Sequence, residues 1–377
     1  MFDLFEKFEH IDGGEGMVDF GGPYLVLGCG DVGFAVVKKL KGLGVELAII
    51  DRDAAKVEML KCLGYKAIRG DFCSLEVLRK AGIEHAEAVL IMARDFSATK
   101  QALKAIKKLE IDLEIKPVVI ALVSEDSEVP EVKRLGASVA LPSVRIFADS
   151  LLKAVRDVNA MAKERQLRAL LRELSGGRLA IVLRNDISPD GIASGEALKL
   201  YAKAFGVDAD LIYGGSLKHP QSRALANLFE LDLLHADGVD FAGYAGFALV
   251  GVAAHTRCAL PKEVLPTIVI DHHPVPLGEV RARFHDILPV GATSTLLANY
   301  LKCASVRIDG ATASALAVGI LTSTQGFIVG ATHLDLETFE YLMPLANSNL
   351  IRRLWSLRQE IISSPLKKSG HKLEGLK

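Results

Sequence analysis

The stretch Thr267-Ile268-Val269-Ile270-Asp271-His272-His273-Pro274 places a carboxylate and two imidazoles side by side. The apolar and β-branched residues before them read as a buried strand, so the polar cluster stands at a strand's C-terminal end. Ligands of open α/β sheets collect outside the carboxyl ends of strands, which is where chemistry would be placed. Asp with His is a hard-to-borderline ligand set suited to Mn²⁺, Zn²⁺ or Fe²⁺. The plain alternative is a strand followed by a polar turn.

The elements that must position such a cluster are bounded by size and composition. A chain of 377 residues, half of them hydrophobic, can bury two sizeable cores. Mean hydropathy is +0.27. A net charge of -1 removes the whole-chain argument for a strongly cationic nucleic-acid binder. The cysteines Cys29, Cys62, Cys73, Cys258 and Cys303 are scattered and free of C-x-x-C, an intracellular pattern. The start, Met1-Phe2-Asp3-Leu4-Phe5-Glu6-Lys7, lacks the features of a signal peptide. The uncharged run Ala311 to Thr332 carries hydroxyls, Gln325 and glycines, and reads as a buried helix, turn and strand, not a membrane span. The expected location is cytoplasmic, with no membrane insertion.

A second chemical signature lies near the start. The strand Pro23 to Leu27 runs into Gly28-Cys29-Gly30-Asp31-Val32-Gly33 and a helix, Phe34 to Lys41. The strand Val45 to Ile50 follows and ends in Asp51. Glycines let the backbone approach a pyrophosphate, a helix N-terminus offers unpaired N–H groups, and Asp51 can accept from a ribose hydroxyl. An acid there disfavours a 2′-phosphate, so NAD(H) or an adenine nucleotide is expected over NADP. Further strands at Lys66 to Ile68, Ala88 to Met92 and Val118 to Val123 complete a Rossmann-like doubly wound parallel sheet.

These residues resemble the TrkA-N (RCK-type) nucleotide-binding domain over residues 22–150. The resemblance rests on the glycine motif, Ile50-Asp51-Arg52-Asp53, Arg69-Gly70-Asp71, Ala81-Gly82-Ile83, Ala86 to Ile91, Leu135-Gly136-Ala137 and Leu141-Pro142. It implies a nucleotide sensor of potassium transport and not a dehydrogenase. It also implies Gly28, Gly30, Asp31, Val32, Gly33, Asp51, Arg52 and Asp71 as the cofactor-binding set, and a potassium transporter as partner.

Residues 147–174 repeat apolar positions at helical spacing until Ser175-Gly176-Gly177. They read as a helical linker (residues 151–177), either joining two lobes or offering a face for a homodimer. A new α/β pattern begins at Leu179 to Leu183. It continues through Asp186 and the Gly-containing turn Ser188-Pro189-Asp190-Gly191-Ile192-Ala193-Ser194, to a helix near Ala197-Leu198. The strands Phe247 to Val250 and Ile268 to Ile270 follow, and then Val290-Gly291-Ala292-Thr293-Ser294-Thr295 opens a helix. Those hydroxyls suit either phosphate binding or capping.

Together with Gly319-Ile320-Leu321-Thr322 and Phe327, these segments resemble the DHH (RecJ-like) phosphoesterase domain over residues 178–345. A TrkA-N-like domain ahead of a DHH domain is similar to an arrangement of archaeal proteins. The resemblance implies a site for two divalent cations, usually Mn²⁺, with Asp186, Asp190, Asp271 and His272 as metal ligands and His272 and His273 as catalytic residues. The pattern departs from the family at three carboxylates, whose places fall on Ile192, Gly251 and Ser323. His219 and His255 are candidate replacements. Residues 346–377, basic at Arg352-Arg353 and Lys367-Lys368, read as a helix and a loose end where the family carries a nucleic-acid-binding domain. Nucleic acid is therefore not the expected partner. Loss of ligands that act as a unit favours a nucleotide-sensing regulatory protein with little or no two-metal activity. The alternative is an active Mn-dependent phosphodiesterase or phosphatase on small nucleotides or short oligonucleotides.

Overall fold

The computed structural model describes residues 22–217, 219–228, 231–253, 255–276 and 280–363. It divides into two compact units, Met1–Val155 and Arg156–Lys377.

In the first unit the strands are Tyr24–Leu27 (β1), Leu47–Asp51 (β2), Lys66–Arg69 (β3), Ala88–Ile91 (β4), Val118–Val123 (β5) and Val139–Pro142 (β6). They form one parallel sheet in the order β3-β2-β1-β4-β5-β6. Between them lie the helices Asp31–Gly42 (α1), Ala54–Cys62 (α2), Leu75–Lys80 (α3), Phe96–Asp112 (α4) and Val129–Arg134 (α5). Alternate strand residues serve opposite faces. Val26, Ile49 and Leu90 pack with Val37 of α1 and Leu60 of α2. Leu25, Ile50 and Val89 pack with Leu78 of α3 and Ile106 of α4. A parallel sheet covered on both faces reads as near-continuous apolar runs, which is why these strands are so plain in sequence.

The helix Ser143–Glu173 (α6) exceeds the predicted 147–174 span at its N-terminal end. Phe147, Leu151, Val155 and Val158 lie exposed along it at spacings of three and four.

The second unit repeats the plan. Its strands are Arg178–Leu183 (β7), Asp208–Tyr213 (β8), Leu233–His235 (β9), Gly246–Val250 (β10), Ile268–Asp271 (β11) and Phe284–Ile287 (β12). All pair in parallel, in the order β12-β11-β10-β7-β8-β9. The helices are Pro189–Ala204 (α7), Pro220–Leu228 (α8), Thr293–Cys303 (α9), Gly310–Ser323 (α10), His333–Leu342 (α11) and Ser348–Ser363 (α12). Ala180, Val182, Leu249 and Val269 form a core on one face of this sheet.

Three expectations are corrected. The glycine-motif helix begins at Asp31, not Phe34, because Gly30 already serves as its N-cap. Asp190 lies in the first turn of a helix and not in a free turn. Ser188 accepts from the Gly191 N–H at 3.0 Å, and Pro189 suits the first helical position. The run Ala311 to Thr332 yields α10 and turns but no strand. Gln325, Gly326, Phe327 and Gly330 take positive φ, which an extended strand cannot accommodate. Among the described residues no helix is long and apolar enough to cross a membrane. The segment Met1 to Lys7 and the pair Lys367-Lys368 lie outside the described residues.

Candidate functional sites

Both sheets reverse strand order beside their first strand, at β1/β4 and at β7/β10. A crevice opens at such a switch point, and each unit gathers its polar residues there.

In the first unit the loop after β1 lines a cavity of about 350 Å³ with Asp51, Arg52, Met92 and Arg94. Gly28 has φ +85°, and a Cβ on Gly33 would stand 2.8 Å from the Gly28 carbonyl oxygen. Glycine at these positions sets the tight turn and the close helix approach. Gly30 differs: a Cβ there would meet no atom within 4 Å. No side chain caps α1, so the N-terminal N–H groups of this helix receive no side-chain partner. Asp51 accepts from the Cys29 N–H at 2.8 Å and the Asp53 N–H at 2.9 Å. Its carboxylate thereby fixes the loop while keeping lone pairs for a further donor.

Of the predicted cofactor-binding residues, Gly28, Gly30, Asp31, Asp51 and Arg52 line this cavity. Val32 and Gly33 do not; Val32 is exposed and Gly33 is buried against Gly28. Asp71 acts at one remove, pairing with Arg52 at 2.8 Å, and that guanidinium holds its carboxyl below the usual range. Arg94, which the sequence reading missed, pairs with Asp31 at 2.7 Å across the mouth of the loop. Its signal was its place just beyond β4, the other side of the switch point. Burial raises the Cys29 thiol and brings Cys73 to about 11, so neither is a ready nucleophile. The open cradle, the uncapped helix and the acid at the next strand fit a nucleotide with a ribose diol and a phosphate.

In the second unit a cavity of about 510 Å³ is lined by Arg184, Asp186, Asp190, His219, His272 and His273, among others. Gly251 and Ser323, two of the positions where the sequence resemblance leads one to expect an acid, also lie on its wall. Ile192 does not, and is fully buried. The side chain of His255 lies outside the described residues.

The two buried carboxylates here, of Asp190 and Asp271, are bonded to backbone N–H groups. Asp190, 3% exposed, accepts from the Thr293 N–H at 3.0 Å and the Ser294 N–H at 2.8 Å, capping α9 with both oxygens. Asp271, 1% exposed, accepts at one oxygen from the His272 N–H (2.8 Å) and the His273 N–H (3.2 Å). The same oxygen lies 2.8 Å from His273 Nδ1. His272 Nδ1 lies 2.8 Å from Thr293 Oγ1 and 3.7 Å from Asp190, while Nε2 faces Ser323 Oγ at 3.5 Å. Burial pushes the His272 imidazole below its ordinary value, against the opposing pull of Asp190.

The sequence reading also missed Asp335. Fully buried on α11, it accepts from the Gly291 N–H at 2.8 Å, the Thr332 N–H at 2.7 Å and the Thr295 hydroxyl at 2.5 Å.

The metal-ligand set drawn from the sequence is therefore divided. Asp271, His272 and His273 offer ligand atoms within 4.8 Å of one another. Asp190 approaches His272 but spends its oxygens on α9, and Asp186 stands exposed on the cavity wall. Asp190 has both oxygens bonded to backbone N–H groups and Asp271 has one, so a pair of divalent cations would find few free carboxylate oxygens here.

Residues 24–142 match the TrkA-N domain family. Over 346 residues the chain is 29% identical to the uncharacterized protein MJ1633 of Methanocaldococcus jannaschii, covering 87% of this chain and 70% of that one. Among solved structures it is similar to the NAD(P)-binding domain of an exopolyphosphatase-related protein from Archaeoglobus fulgidus. That match has 22% identity and a TM-score of 0.33, covering 36% of this chain and 98% of the other. An exopolyphosphatase-related protein from Bacteroides fragilis matches at 16% identity and a TM-score of 0.41, with 52% of this chain and 60% of that chain covered.

Proposed function

We propose that this chain is a nucleotide-sensing regulatory protein. Residues 22–150 bind NAD(H) or an adenine nucleotide, and residues 178–345 are a DHH-like lobe that has lost its two-metal activity. The observation that carries the reading is the open N-terminus of α1 above Gly30, with Asp51 beside it. When bound, the nucleotide supplies the phosphate and ribose diol that these groups recognise. Asp51 accepts from the diol, and the α1 N–H groups face the phosphate. Arg94 is released from Asp31 or held by it according to the charge that arrives. The exposed apolar row of α6 suits a homodimer, and a potassium transporter is the class of target. Cys29, Cys62, Cys73, Cys258 and Cys303 form no disulfide with one another, in accord with a cytoplasmic setting.

Calorimetry with NAD⁺, NADH, AMP and ATP tests the reading. Asp51→Ala is expected to weaken the best ligand by roughly tenfold to a hundredfold, as loss of a charged acceptor does. Equal affinity in both proteins refutes the ribose assignment. The second reading, an active Mn-dependent phosphodiesterase, draws on the proximity of Asp271, His272 and His273. Hydrolysis of a para-nitrophenyl phosphodiester that requires both Mn²⁺ and His272 would establish it; no such rate is expected.

A further inference from the structure

We infer that the cavity of the second unit binds a phosphate ester directly through Arg184, without a metal ion. This rests on the reading that the lobe has lost its cation pair. Gly251 and Ser323, two positions where the resemblance leads one to expect an acid, lie on this wall and bring no charge to it. Of the acids that remain, Asp190 and Asp271 are buried and bonded to backbone N–H groups. Asp186 is exposed, where water and salt screen it.

Arg184 stands immediately beyond β7, half-buried on the same wall. Its backbone is fixed by a bridge to Cys258, and the next N–H, of Asn185, donates to the Arg257 carbonyl at 2.9 Å. Among the described residues its guanidinium has no ion pair or hydrogen bond. A partly desolvated guanidinium with five unused donors is matched by a planar or tetrahedral oxyanion. The imidazoles of His219, His272 and His273 share the wall and can add N–H donors. At about 510 Å³ the cavity admits more than inorganic phosphate, so a small organic phosphate is the expected ligand. An arginine without an acid partner, with imidazole donors beside it, gives this wall a place for an anion.

The experiment is calorimetric titration of the full chain with phenyl phosphate in EDTA, comparing the parent with Arg184→Met and Arg184→Lys. Thermal melting serves as the folding control. Binding is expected in EDTA, weakened roughly tenfold to a hundredfold in Arg184→Met and partly restored in Arg184→Lys. Should Arg184→Met fail to fold, Arg184→Lys alone decides, because a lysine keeps the charge but loses the paired donors. The inference is overturned by equal affinity in all three proteins, by no binding in the parent, or by binding that appears only on adding Mn²⁺. Hydrolysis dependent on Mn²⁺ and His272 would sink the inactive-lobe reading alone, since the Arg184 comparison is made without metal.

Discussion

The two units share one sheet order and place their polar residues at the same topological position, yet they treat helix N-termini in opposite ways. In the first, α1 follows its N-cap Gly30, which has no side chain to cap it and open space above it. In the second, α9 begins with two N–H groups already held by Asp190. An uncapped helix N-terminus in a cavity is an anion receptor; a capped one is a structural joint. The difference shows that a switch-point crevice is an opportunity rather than a function. What decides is whether its donors are spent inside the protein.

The largest effect should come from unsealing the second unit. Asp190→Ala leaves two buried N–H groups without a partner and removes a charge-assisted pair of bonds, at a cost of roughly 3–5 kcal/mol. Urea unfolding followed by the fluorescence of Trp355, the single tryptophan and a residue of this unit, would measure it. A loss under about 1 kcal/mol would mean that the carboxylate is not needed by α9, and the contrast between the units would fail.

The converse substitution seals the first unit. Gly30→Asp puts a carboxylate at the N-cap of α1, where the backbone is extended (φ -74°, ψ -168°) and no atom obstructs a Cβ. Stability should change by only a few tenths of a kcal/mol. Affinity for AMP should fall by about a hundredfold, because like charges would then share one receptor. Unchanged AMP binding would place the phosphate elsewhere.

A third substitution puts acids into the second cavity. Gly251 has φ +67°, a region that aspartate tolerates better than most residues, and its nearest neighbour to a built Cβ is Thr293 Oγ1 at 3.7 Å. Gly251→Asp with Ser323→Asp should raise Mn²⁺ affinity by at least about tenfold over the parent, because added carboxylates are the main lever on hard-cation binding. Tight binding of two Mn²⁺ ions by the parent itself would remove the reason for the comparison.

How far the sequence discloses these sites follows from what each depends on. β1, the glycine loop and Asp51 are legible because their logic is local: an apolar run, a fixed glycine spacing and an acid at the next strand. The strand before Asp271 is legible for the same reason, as Ile268 to Ile270 are all buried. The short edge strands β9 and β12 are not, since Leu-Leu-His and Phe-His-Asp-Ile lack an apolar run. Only the local half of Asp335's work is legible, as the Thr332-x-x-Asp335 start of α11; its bonds to Gly291 and Thr295, about forty positions away, are recorded by no periodicity. Asp190 was found, but as a metal ligand. Its neighbours in sequence suggest a cation, and only the fold brings α9 to it.

The smallest effect concerns two acids on one helix. α7 carries Asp190, fully partnered, and Glu196, whose Oε2 is buried without a hydrogen bond. Burial pushes the Glu196 carboxyl above its ordinary value of 4.5; Asp309 reinforces the shift and Lys199 opposes it. The folded state therefore holds this proton more tightly than the unfolded chain does. Stability from this group is gained as pH falls through the raised folded value, and the cost of the buried charge is full above it. Glu196→Gln removes the charge and keeps the shape, so it should stabilise the protein by about 1 kcal/mol near neutral pH. The advantage should shrink as pH is lowered below 4.5, where the parent carboxyl becomes protonated in both states. Melting curves of the two proteins across that range measure the difference. A gap that stays constant with pH would show that Glu196 carries no penalty for its charge, and that the second unit buries unpartnered acids as readily as partnered ones.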